Sequence, residues 1–165
     1  MAGQSKKLED LFEENLKDIY YAERKILVAL PKMAKAANSE ELRAAFEKHI
    51  AETEGQVDRI QQVFKMLKKP AKGKTCPAIL GLVEEADEVI EDFEDSSALD
   101  AGLLSGAQAV EHYEMARYGT LIAWATQLGM KDAASLLSQT LEEEKKTDAA
   151  LSKLAPAVNQ AAQSA

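Results

Sequence analysis

The chain holds one cysteine, one tryptophan and four prolines in 165 residues, and aromatic side chains make up only 5% of it. The lone Cys76 excludes an intramolecular disulfide framework and fits a reducing, cytoplasmic compartment. No apolar run approaches the roughly 20 residues that cross a bilayer. The opening MAGQSKKLEDLF has no signal-peptide core, so no membrane partner is expected. Lys and Arg number 20 against 28 Asp and Glu, a net charge of −8, which argues against a nucleic-acid partner. Strand-like alternation and a phosphate-cradling glycine loop are missing as well.

What remains is rich in Ala, Leu, Glu and Lys, the composition of a single all-α domain. The spacing of apolar residues predicts five helices, over about 5–36, 39–67, 77–94, 98–128 and 131–158. Ser5 is expected to cap the first and Ser39 the second, and Pro31 to kink or divide the first. Cys76 stands just before Pro77 at the head of the short third helix, as an inert thiol. Its apolar residues, from Ile79 to Phe93, cover one face. The plan is two antiparallel helical hairpins joined by a long crossover that carries a short helix. That is a four-helix bundle of ferritin-like topology.

Carboxylates interrupt the apolar stripes. The first helix reads Leu8, Phe12, Leu16, Ile19, then Glu23, then Ile26, Leu30, Met33. The last reads Leu137, Leu141, then Glu144 and Asp148, then Leu151 and Leu154. Between them the second carries His49, Glu52 and Gln56 and the fourth carries Glu111, Glu114 and Tyr118, each on its apolar face. Glu111 and Glu114 lie within about 60° of each other, whereas His112 is about 160° from Glu114 and points elsewhere.

Turn arithmetic tests these positions independently, because residues equidistant from a helical turn face each other. Glu23 and Glu52 centre on Ala37 and Asn38, Glu114 and Glu144 on Gly129, and Glu111 with Asp148 between Gly129 and Met130. Each arm is about 15 residues, roughly 22 Å of helix, so the acids meet in one layer near mid-bundle. A bare carboxylate out of water costs several kcal/mol, so the layer needs cations, shared protons or water. Four to six carboxylates with at most one imidazole suit two iron or manganese ions better than copper or a structural zinc. Tyr20 and Tyr118, one turn from Glu23 and Glu114, are placed to donate hydrogen bonds to the ligands. A hydrogen-bonded, partly protonated polar core is the alternative.

The strings DIYYAER (18–24), HIAETEGQVDRI (49–60), GLVEEADEVIE (81–91), AQAVEHYEMARYGTL (107–121) and TLEEEKKTD (140–148) resemble the YciE/YciF family of ferritin-like bacterial stress proteins. The resemblance implies the ferritin-like fold, a dinuclear metal centre and the bacterial cytosol, but no particular reaction. Ferritin-like sites usually take Glu-x-x-His from two helices. Here the third residue after Glu52 is Gly55 and after Glu144 is Thr147, and His49 precedes its Glu. The family pattern therefore maps onto Glu23, Glu52, Glu144 and Glu111 or Glu114, with His49, Gln56 and Asp148 as substitute ligands. Two iron or manganese ions reacting with dioxygen or peroxide is the leading expectation. The alternatives are a non-catalytic structural metal protein and, third, iron storage. A homodimer through exposed apolar positions on the first two helices is also expected.

Overall fold

The computed structural model describes residues 5–163. Five helices follow one another: α1 (Leu8–Ala36), α2 (Glu40–Met66), α3 (Pro77–Asp92), α4 (Leu99–Gln127) and α5 (Lys131–Gln163). Among the described residues there is no strand, and no helix is long and apolar enough to cross a membrane. The all-α bundle read from the sequence is what forms.

The helix ends follow local chemistry. Ser39 caps α2 by accepting from the Leu42 amide. α1 starts at Leu8 rather than at Ser5, because Asp10 reaches back 2.8 Å to the Lys7 amide and fixes the first turn there. Pro31 does not divide α1; it sits on the exposed side, where water can reach the carbonyl that its ring leaves unpaired. α5 runs past the expected end at Val158 to Gln163. Val158 is buried, and Ala162 accepts from the Ser97 hydroxyl at 3.2 Å. Phe93 ends α3 as a 43% exposed residue rather than extending its packed face.

α4 closes through Gly129 at φ 74°, with Met130 N–H bonding Ala125 C=O at 2.8 Å and Gly129 N–H bonding Thr126 C=O, the usual left-handed helix stop. α2 closes the same way around Lys68 at φ 55°, a conformation that costs a side-chain-bearing residue free energy.

α1 pairs with α2 and α4 with α5; α2 also packs on α5 and α1 on α4, which closes a ring of four. The crossover brings the chain back to the first turn, where Asp100 accepts from the Asn38 and Ser39 amides at 2.8 and 2.7 Å. α3 lies over the α1–α4 seam, so closely that a Cβ on Gly102 would sit 2.6 Å from Val89 Cγ1.

Each long helix presents buried residues at alternating steps of three and four: Phe12 to Ala29 or Leu30 in α1, Leu42 to Val63 in α2, Leu104 to Ala125 in α4 and Ala133 to Leu151 in α5. This is the seam of a coiled-coil-like bundle. Apolar layers fill both ends, with Phe12, Leu16 and Phe64 at one and Leu30, Met33 and Leu42 at the other. Lys68→Gly should relieve the left-handed strain at the α2 terminus and stabilise the fold by about 1 kcal/mol, read as a higher urea midpoint at unchanged slope.

Candidate metal centre

The seam changes character at mid-bundle. Here its positions are Glu23 on α1, His49, Thr53 and Gln56 on α2, Glu111 and Glu114 on α4, and Thr140, Glu144 and Thr147 on α5, all buried. One ligand atom from each of His49, Glu111, Glu114 and Glu144 lies within 4.8 Å of the others. His49 reaches from α2 to α4, its Nε2 3.2 Å from Glu111 Oε1 and 3.9 Å from Glu114 Oε2. Neither contact has hydrogen-bond geometry, and both ring nitrogens are without a partner among the described residues.

Glu23 and Gln56 adjoin this group. Glu23 Oε1 accepts from the Tyr118 hydroxyl, while its Oε2 is buried and unpaired. Gln56 donates through Nε2 to Glu144 Oε1 and, at 3.3 Å, to Glu143 Oε2, leaving its own Oε1 unpaired. Glu143 is gripped by Arg59, at 2.8 Å and 2.5 Å, and Arg59 also donates to Thr140 at 3.0 Å. One cation therefore stands beside the layer.

Glu52 and Asp148 sit on the flanks of the seam rather than on it, their side chains 22% and 21% exposed. Glu52 is engaged by Lys48 at 2.5 Å and accepts from the Thr147 hydroxyl at 3.3 Å. Asp148 accepts from Gln108 at 3.2 Å. Tyr20 packs edge-on against Phe64, and its hydroxyl accepts from Gln61 at 3.2 Å, away from the carboxylates. His112 is outside the layer, bonded to the Gln108 carbonyl at 2.8 Å.

Electrostatics follow burial. Glu23 is pushed up to about 8 by loss of solvent and then by the Glu144 charge. Burial raises Glu111 and Glu114 as well, seconded by Glu144 and by Glu23 respectively, and burial likewise raises Glu144. Tyr118 is raised by burial and by the Glu23 charge, so it stays a donor. Partly exposed Glu52 goes the other way, held to about 2 first by the His49 ring, at 3.9 Å, and then by Lys48.

Among the described residues, eight buried side-chain atoms in this one layer lack a hydrogen-bond partner: Glu23 Oε2, both His49 nitrogens, Gln56 Oε1, Glu111 Oε2, both Glu114 oxygens and Glu144 Oε2. All but the imidazole donors are oxygens, a set suited to hard or borderline cations. Such atoms are costly unless a ligand engages them, so the residues fit a carboxylate-bound metal.

Sequence reasoning missed Arg59, Glu143, Thr53, Thr140 and Thr147. The run 142–146 reads as a solvated face, yet Glu143 turns inward to Arg59. The threonines were findable, because steps of four and three from His49 and Glu144 land on Thr53 and Thr147.

Comparison with known proteins places this geometry among relatives. The family described as a domain of unknown function, DUF892, matches residues 7–163. Protein YciF of Escherichia coli (strain K12) is 49% identical over 151 residues, 91% of each chain. The crystal structure of the E. coli stress protein YciF superposes with a TM-score of 0.90 at 47% identity, over 94% of this chain and 99% of that one. YcfI from Rhodopseudomonas palustris, provisionally described as a structural protein, gives a TM-score of 0.88 at 46% identity, over 92% of this chain and 97% of that one.

The layer makes metal-free stability depend on pH in a definite direction. For carboxyls raised by burial, the native state holds protons that the unfolded state has released. Their contribution is complete below the ordinary value of 4.5 and is lost as pH rises through the folded value, about 8 for Glu23. The melting temperature of metal-free protein should therefore fall between about pH 5 and about pH 8. Glu114→Gln, which removes one such proton from the linkage, should flatten the slope in the same thermal scans.

Proposed function

The chain belongs to the DUF892 family of YciE/YciF stress proteins, and we propose that its carboxylate layer holds two iron or manganese ions and reacts with dioxygen or a peroxide. The observation that carries this reading is the set of eight unpartnered buried atoms in a single layer. Bound there, such ions supply Lewis acidity and one-electron redox chemistry at open coordination positions.

The chain's own residues divide the work. His49, Glu111, Glu114 and Glu144, whose ligand atoms gather within 4.8 Å of one another, would hold the first ion, and Glu23 with the Gln56 carbonyl beside them would add donors for a second. Glu114, with both oxygens unpaired, would offer two donor atoms. Tyr118 donates to one Glu23 oxygen and so fixes which oxygen is left for a ligand. Gln56 does the same for Glu144, and the Arg59–Glu143 pair holds Gln56 in turn. Glu52 and Asp148, partly exposed on either side of Thr147, form a polar rim through which a cation can shed its water. The name of E. coli YciF as a stress protein supports an oxidant as substrate. The apolar ends of the bundle exclude water from the centre, which strengthens every charge interaction within it.

The non-catalytic alternative has its own support. Neither Glu52 nor Glu144 is followed by the usual histidine, and YcfI is described as a structural protein. Elemental analysis of protein purified without chelator or added metal separates the readings. About two iron or manganese ions per chain is the expected result, falling sharply in Glu144→Ala, with peroxide or dioxygen consumed by the native chain and not by that variant. Bound metal that raises the melting temperature without turnover would select the structural role. Protein that binds neither metal under saturating conditions would sink both.

A further inference from the structure

α5 departs from the ligand pattern of ferritin-like bundles in a way that leaves space. Where the pattern has Glu-x-x-His, α5 has Glu144 and then Thr147, and threonine lacks the imidazole ring. Thr147 borders a cavity of ≈ 20 Å³, and about 10–15 Å³ suffices for one water molecule. Most of the wall is apolar, with Ile26, Phe46, Val83 and Ala86 in it. Among the lining side chains only His49, Glu111 and Thr147 carry nitrogen or oxygen. All three are buried. Both His49 ring nitrogens and Glu111 Oε2 lack a partner among the described residues. The Thr147 hydroxyl donates to Glu52 Oε2 at 3.3 Å, so its lone pairs remain to accept.

We propose that this cavity is the site of one buried water molecule, which stands in for the missing imidazole. The water donates to Thr147 and to Glu111 Oε2 and accepts from a His49 N–H. Three partners is the usual number for a buried water. An apolar guest would leave these polar atoms bare, each at the cost of an unmade hydrogen bond, and a larger polar guest has no room. The water engages at most two of the eight unpartnered atoms, Glu111 Oε2 and one His49 nitrogen. The others still call for a cation. With a metal in the layer, the water offers an oxygen donor in place of the histidine nitrogen. That step rests on the metal reading above; the water site itself does not.

Water–methyl cross-relaxation in metal-free protein is the first test. The expected result is a long-lived water seen by the methyls of Ile26, Val83, Ala86 and Thr147. It should be lost in Thr147→His, whose ring takes up the same space. Thr147→Val keeps the shape and removes the hydroxyl, so it should weaken the same signal. That variant keeps the test decisive if Thr147→His fails to fold. A native chain without such a water, or a signal undiminished in either folded variant, would overturn the proposal. Titration with cobalt(II) reads the second step: Thr147→His should bind the ion more tightly than the native chain does. Equal or weaker binding would overturn the exchange of water for imidazole. A native chain that holds the water but takes up no metal would uphold the water site and sink only the metal reading.

Discussion

Four carboxyl groups on core positions of a helical bundle are the constraint on which the rest of the molecule depends. Glu23, Glu111, Glu114 and Glu144 are all buried, and an uncompensated buried charge costs several kcal/mol. Without metal the layer answers by keeping protons, which is why burial drives these groups upward. The apolar layers on either side, Phe12 and Leu16 towards one end and Leu30 and Met33 towards the other, must hold the helices together against this cost. A bundle of this size built only for stability would place Leu at these seam positions. Acids retained there cost stability and leave a cluster that could hold a cation.

The supporting network shows how one carboxylate can be aimed without being neutralised. Tyr118 occupies a single oxygen of Glu23, and Gln56 a single oxygen of Glu144. In both acids the second oxygen is left bare and buried. Arg59 is kept one step back, its charge absorbed by Glu143 at 2.5 Å. A guanidinium placed directly on Glu144 would compete with a metal for the same oxygen. Through Glu143 and Gln56 it orients Glu144 and leaves that residue's second oxygen unpaired. Lys145 and Lys146, both exposed, cannot reach inward to do this, and Lys145 pairs with Glu142 at 2.8 Å instead.

Much of the fold was legible because its signal is local. Ser39 before Glu40 and Glu41, Pro77 at the head of α3 and Gly129 after α4 each mark a terminus by a backbone mechanism that needs no tertiary context. The α5 end was not legible, since Val158 is held by packing and Ala162 by a serine across the bundle. Turn arithmetic relates helices within a hairpin, so it could address Glu114 with Glu144. It cannot address α2 with α5 or α1 with α4, whose relative height is set by the crossover. Arg59–Glu143, Gln56–Glu144 and Tyr118–Glu23 all bridge such pairs; Tyr118 was legible as a donor to the carboxylates, but not its partner on α1, and the other two pairs were not readable. The flanking positions of Glu52 and Asp148 have a different cause. Steps of three and four taken in any order reach Glu52 and Asp148, whereas the seam alternates them strictly. Alternation from Leu42 and Phe46 passes through His49 and Thr53, and from Leu137 through Thr140, Glu144 and Thr147.

The crossover therefore does more than connect two hairpins. A slip of one helical turn, about 5.4 Å, would carry Tyr118 away from Glu23 and set apolar residues against carboxylates, leaving a charge unpaired in a dry interior. Several contacts oppose that slip. Asp100 receives both amides of the first turn, which sets the height of α4 against the α1–α2 hairpin. The loop before α3 is tied to α1 by Lys74 N–H on the Lys17 carbonyl at 3.1 Å. Cys76 caps α3 and lies 3.1 Å from the Tyr113 hydroxyl, which donates to Asp18 at 3.0 Å. That chain joins α3, α4 and α1 a turn or so from the carboxylates. The lone cysteine is thus accounted for by capping and register. Gly102 lets α3 approach α4 closely enough for Val89 to seat there. Metal ligation would depend on this register to within a fraction of an ångström, so the segment that reads as a linker in the sequence is what brings the halves of the site to one level.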